Sequence, residues 1–121
     1  MITVIFEVWP AEGYRDDYLA LAARLRADLE KIDGFISVER FQSLTDPAKL
    51  LSLSVFRDEA ALAEWRNLPT HRAAQETGRR AYFADYRLRV ASVIRDYGPT
   101  DRAEAPDDSR AHHEPEGASR P

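Results

Sequence analysis

The 121-residue sequence predicts an α+β fold of the ferredoxin-like type, ordered β-α-β-β-α-α-β, with an antiparallel sheet that carries its helices on one face. Three observations lead there. Apolar spacing switches between alternation and a three-and-four period along the chain, Asp46-Pro47 supplies turn chemistry between two strand-like runs, and Pro69 breaks the last helical stretch in two.

"ITVIFEVW", Ile2 to Trp9, is rich in β-branched and aromatic residues and reads as a strand ended by Pro10. From Gly13 the period changes. Tyr14, Tyr18, Leu21, Leu25, Leu29 and Ile32 mark a helix with one apolar face that stops at Asp33-Gly34. "FISVERFQS" and "LLSLSVFR" read as two strands joined as a hairpin through "LTDPAK". Asp58 suits the N-cap of a short helix through Trp65, which ends because the residue before Pro69 is pushed out of helical geometry. Either Asn67 or Thr70 can cap the next helix, which runs to about Arg80; "AYFAD" is then a connector, and Tyr86 to Tyr97 form the final strand.

Alternation within the strands assigns Ile2, Val4, Phe6, Val8, Ile36, Val38, Leu51, Leu53, Val55, Leu88, Val90 and Ile94 to a layer under the helices. Facing the other way are Ile5, Trp9, Phe35, Phe41, Leu50, Phe56 and Val93. That second face is too apolar to leave in water, and a homodimer packing sheet against sheet is expected to bury it.

Composition narrows the function classes. A chain that is 44% hydrophobic and 31% charged is ordinary for a globular domain, with no apolar run approaching 18 residues and no signal-peptide order at its start. A cytoplasmic protein, with no membrane partner, is the expectation. The absence of cysteine excludes thiolate nucleophiles and cysteine-based metal sites, and a net charge of −4 argues against a nucleic-acid binder. From Pro99 onward, six acids, three arginines and four of the seven prolines, with no large apolar residue, predict a disordered acidic tail over 99–121 attached to one domain over 1–98. His112 and His113 lie in that tail without a third positioned ligand, so no metal site is assigned to them.

Within the domain, "AEWRNLPTHRAAQ" sets Trp65 six positions before His71. Trp65 follows Leu62 by three and belongs to the apolar face of its helix. His71 falls in the first turn of the next helix, where the positive end of the dipole opposes protonation and favours a neutral imidazole able to accept a proton, bond a phenol or ligate iron. Arg72, Arg79, Arg80, Arg87, Arg89 and Arg95 cluster late enough to clamp the carboxylates of an anionic ligand, and Tyr82, Phe83 and Tyr86 supply aromatic wall. Phosphate loops, dinucleotide fingerprints, Ser-His-Asp arrangements and metal-spaced histidines are missing from the sequence.

These residues resemble the antibiotic biosynthesis monooxygenase superfamily of dimeric α+β barrels. The resemblance covers about residues 1–98 and rests on the element order, Gly34-Phe35 opening the second strand, the "LLSLSVFRDEAALAEW" passage and a "W-R-N-x-P-x-H" segment. It implies a pocket between helices and sheet in each subunit of a homodimer, with a tryptophan at the place of Trp65 lining it. Two activities occur in that family: oxygenation of aromatic molecules without metal or flavin, and oxidative opening of haem. The aromatic-oxidising branch carries a tyrosine where His71 stands. The haem-degrading branch carries its iron-ligating histidine where this chain has Ala74 and Gln75, and an asparagine where it has Ile5 or Phe6.

The resulting expectation is a homodimeric monooxygenase acting with O2, and no cofactor, on an aromatic or quinol-like small molecule. His71 and Trp65 would carry the chemistry, with Phe6, Asn67, Phe83 and Arg72 binding substrate and no metal unless His71 ligates haem. The alternatives are haem binding and degradation through His71, and a non-catalytic dimer that only holds a small molecule.

Overall fold

The computed structural model describes residues 1–112. Strand β1 (Ile2–Pro10) lies inside the sheet, antiparallel to β3 (Leu50–Phe56) on one side and β4 (Phe83–Ser92) on the other, while β2 (Phe35–Gln42) pairs with β3. The sheet order is therefore β2-β3-β1-β4. Helix α1 (Arg15–Glu30) follows β1, and helices α2 (Glu59–Asn67) and α3 (Pro69–Thr77) follow β3.

The expected barrel does not form. Closure requires the two outer strands to pair with each other, and here the sheet is open, with β2 and β4 as its edges. Three interstrand steps of about 4.8 Å put those edges roughly 14 Å apart.

Local chemistry explains the boundaries. Gly34 turns the chain from α1 into β2 at a φ of +93°, and a Cβ there would lie 2.9 Å from the Ala61 side chain. Only glycine satisfies both demands. Asp58 caps α2 by accepting a 2.9 Å bond from the Ala61 N–H. Neither Asn67 nor Thr70 caps α3. Leu68, held extended at ψ 134° ahead of the proline, is the boundary, and Pro69 starts the helix where no N–H is needed. Helix α3 passes into a π-helical turn (Gly78–Tyr82), and the last strand begins at Phe83 and ends at Ser92, earlier at both ends than alternation suggested.

The registers also correct the facing of β3. Leu51, Leu53 and Val55 pair with Glu7, Ile5 and Thr3 on the side away from the helices, whereas Leu50 and Phe56 pair with Val8 and Ile2. Leu50 and Phe56 are core residues, and Phe35 packs edge-on against Phe56 at 6.0 Å. The helix-facing phase of "LLSLSVF" is Leu50, Ser52, Ser54 and Phe56, less apolar than Leu51, Leu53 and Val55, so alternation pointed to the wrong face. The outer face is marked by Glu7, which pairs with Lys49 and, at 2.6 Å, with Arg89.

The core divides into two clusters on the helix side. Leu29, Ile32, Val38, Phe56, Ala61 and Leu62 fill one end, with Ile2, Val4, Phe35, Trp65 and Leu68 packed against them. Val8, Tyr18 and Leu50 anchor the other, with Phe6, Leu19 and Phe83 alongside. Beyond β4, part of the stretch expected to be a disordered tail has a defined course: Ala105 is buried, and a short helix α4 (Asp107–His112) follows it. Arg102 ties the two together through a 2.9 Å bond to the Ser109 hydroxyl. His113 and the rest of the predicted tail lie outside the described residues.

Candidate functional site

At the second cluster the helices and the sheet do not close on each other, and a cavity of about 280 Å³ remains. Its floor is one row across the sheet: Arg40 on β2 pairs with Ser52 on β3, Ser52 with Phe6 on β1, and Phe6 with Leu88 on β4. Leu21, Ala22 and Leu25 of α1 face Ala74, Gln75 and His71 of α3 across it, and Tyr18, Arg79, Phe83 and Tyr86 complete the lining. The space exists because small side chains meet there. Ser52 stands in the floor between the bulkier Leu50 and Phe56 positions, and Ala22 and Ala74 stand where the helices approach.

Phe83 organises the aromatic wall, with ring centroids 5.6 Å from Phe6, 5.7 Å from Tyr86 and 5.8 Å from Tyr18. The π-helical turn makes room for it: a Cβ on Gly78 would lie 2.3 Å from the Phe83 ring. Extra-residue turns of this kind are frequent at functional sites.

His71 is the imidazole on the cavity wall. Its Nδ1 makes a long 3.5 Å approach to the Arg66 carbonyl, which can only accept, so the proton sits on Nδ1 and Nε2 keeps a lone pair. Burial holds its pKa below the ordinary 6.5, and the charges of Arg72 and Arg66 push the same way against the Arg66 carbonyl bond. The imidazole is therefore neutral at pH 7.

The residues singled out from sequence separate into two groups. Phe6, His71 and Phe83 line the cavity together. Trp65 does not; it packs against the filled cluster and lies behind His71, the two rings 4.4 Å apart and tilted by 39°. Asn67 and Arg72 bond to each other at 2.5 Å, away from the lining. The supposed arginine clamp disperses: Arg87 and Arg89 project to the outer sheet face with Glu7, Arg80 pairs with Glu76, and only Arg79 of the late group reaches the cavity. Sequence reasoning missed Arg40, Gln75, Ser52 and the inward sides of Tyr18 and Leu21. Arg40 had a signal, since it falls in the same phase of β2 as the buried Val38. Among the described residues no three His, Cys, Asp or Glu side chains gather as a metal site, and no helix is long and apolar enough to cross a membrane.

Comparison with known proteins fits this geometry to a family. Residues 1–77 match the family model described as antibiotic biosynthesis monooxygenase. The chain belongs to the antibiotic biosynthesis monooxygenase family. Its likeness to the jasmonate monooxygenase of Pyricularia oryzae (strain 70-15) is 48% identity over 93 residues, covering 77% of this chain and 43% of that protein. The chain thus spans less than half the length of the curated relative it matches. Protein Rv0793 of Mycobacterium tuberculosis shares the fold with a TM-score of 0.72 at 18% identity, over 80% of this chain and 98% of that one. Protein SO0527 of Shewanella oneidensis does so with 0.69 at 19%, over 74% and 87%.

Haem, which the resemblance brought into view, is larger than the molecules this cavity's volume suits. About 280 Å³ lies just under the range of roughly 300–1,000 Å³ usual for small-molecule sites, which suits a compact molecule and not a porphyrin with two propionates. Of the late arginines Arg79 reaches the cavity, whereas Arg72, Arg87 and Arg89 are turned elsewhere.

Proposed function

We propose that residues 1–98 form a monooxygenase domain that oxidises a compact, electron-rich small molecule with O2, using His71 as base and neither flavin nor metal. The observation that carries this reading is the neutral His71 imidazole on the wall of an apolar cavity, its Nε2 lone pair available and its ring backed by Trp65. Phe6 and Phe83 would hold the substrate ring, and Trp65 would act as a positioning residue that fixes the imidazole. Asn67 and Arg72, bonded to each other, would hold the α2–α3 junction that presents His71.

The chemistry follows from the proton. Nε2 takes the acidic proton of a phenol or quinol, and the resulting anion is electron-rich enough to pass one electron to O2. Recombination at a ring carbon that bears hydrogen forms a C–O bond; loss of water from the hydroperoxide then leaves a carbonyl at that carbon, one oxygen atom in the product and the other in H2O. The substrate itself supplies all the electrons. A second substrate class is favoured by the 48% identity to a protein named for jasmonate. A cyclopentanone acid of that size would instead be hydroxylated, and that reaction draws two electrons and two protons from an external reductant.

The test is oxygen uptake by chelator-treated protein on anthrone and a panel of quinols. His71→Ala is expected to lose about 10²–10⁴-fold in rate, with His112→Ala unchanged. Equal rates in both variants would remove His71 from the mechanism, and no uptake by the wild type would remove the reading. A second copy of the chain is the proposed partner, covering Ile5, Leu51, Leu53 and Val55 on the outer sheet face.

A further inference from the structure

Arg40 is the one charged residue in the helix-facing rows of the sheet, where its strand neighbour in phase, Val38, is buried. Its Nε is buried without a hydrogen-bond partner, and its guanidinium makes no hydrogen bond or ion pair with any described residue. Arg102 is the only other described residue with such an orphaned Nε, but its two terminal nitrogens bond Gly98 and Ser109 and its guanidinium lies over Tyr97. Arg40 has no such compensation. A buried guanidinium N–H left without an acceptor is costly, and an anion meeting the half-buried Arg40 fork supplies one.

The cavity is where that anion would sit. Arg40 lines it, and so do Arg79 and the neutral His71, while no described aspartate or glutamate does. Arg40 also differs from Arg79 in rigidity: it stands on a strand paired in register with Ser52, whereas Arg79 is exposed on the π-helical turn. The rest of the floor, Phe6 and Leu88, and the opposing Leu21 and Leu25 are apolar.

We infer that the cavity takes a monocarboxylic acid with an apolar body, its carboxylate bonded by Arg40 and its body running along the floor toward Phe6 and Leu88. A guanidinium fork matches a carboxylate in two parallel bonds, and Ser52, next along the floor row, carries a hydroxyl suited to a further bond to the same group. The length agrees: Arg40 and Leu88 are three strand spacings apart, about 14 Å, so a ligand of modest length reaches from the charged end to the aromatic wall. The inference deepens the function proposed above and rests on the cavity being the ligand site.

Binding rather than turnover tests it, so that failure of the oxidation chemistry does not mask the result. Calorimetry of the full chain with two pairs, jasmonic acid and its methyl ester, and 2-naphthoic acid and its methyl ester, at pH 7.5 changes only the charge at one end. The wild type is expected to bind at least one acid about tenfold or more tighter than its ester. Arg40→Gln should abolish that preference while leaving ester affinity within a few-fold; Arg79→Gln should keep it. Acid and ester binding alike would overturn the carboxylate assignment while the cavity remains a ligand site. A preference lost in Arg79→Gln and kept in Arg40→Gln would overturn the role of Arg40. No binding by either pair would overturn the inference. If Arg40→Gln does not fold, phenylglyoxal labelling of the wild type decides the matter: the acid, and not the ester, should protect Arg40.

Discussion

The two ends of the helix-facing sheet surface are built from the same strands and differ in what they enclose. At one end Phe56 is wholly buried beneath Leu29, Ile32 and Leu62, with Trp65 closing over them. At the other, the residues that meet are Ser52, Ala22 and Ala74, and a cavity is left between Phe83 and the floor. Fold stability is concentrated where bulky side chains interlock; the capacity to hold a ligand appears where they are withheld. Histidine 71 stands at the seam, stacked on the filled end through Trp65 and facing the hollow one.

That contrast can be broken by truncation. Phe56→Ala should destabilise by about 3–5 kcal/mol, read by chemical denaturation, whereas Phe83→Ala, half-buried beside existing space, should cost clearly less. Equal losses would show that the hollow end is as tightly packed as the filled one. Next in size, Gly78→Ala forces a methyl into the Phe83 ring. A loss of about 1–3 kcal/mol is expected, together with weakened ligand binding, and a neutral outcome would mean that the ring moves freely.

The smallest effect concerns the seam. Because the folded pKa of His71 lies below 6.5, the unfolded chain binds more protons as pH falls through the interval between the folded value and 6.5. The contribution is therefore complete above 6.5 and declines as the pH falls through that interval. His71→Gln should flatten this part of the stability profile, and an unchanged slope would assign it to another group. The rate of a reaction using His71 as base should rise along a limb below pH 6.5 and level off by pH 7.

Much of this was legible beforehand. The element order follows from spacing, and Asp58, Gly34 and Pro69 announced their roles because caps, left-handed turns and helix starts are local chemistry. The neutral state of His71 was also foreseeable, although burial rather than the helix dipole heads its causes. Less legible were the phase of β3, whose outer face, Leu51, Leu53 and Val55, is the more apolar one, and the scattering of the late arginines by strand alternation.

What the sequence by itself determined is the set of local decisions: where strands and helices begin, which residues cap them, and the family to which their pattern belongs. Tertiary structure alone decided which face each strand shows, that the sheet stays open, that Trp65 supports His71 instead of lining the cavity, and that Arg40 enters it. Those outcomes depend on cross-strand register and on which helix lies over which row. Such contacts join residues far apart in the chain, and no local propensity encodes them.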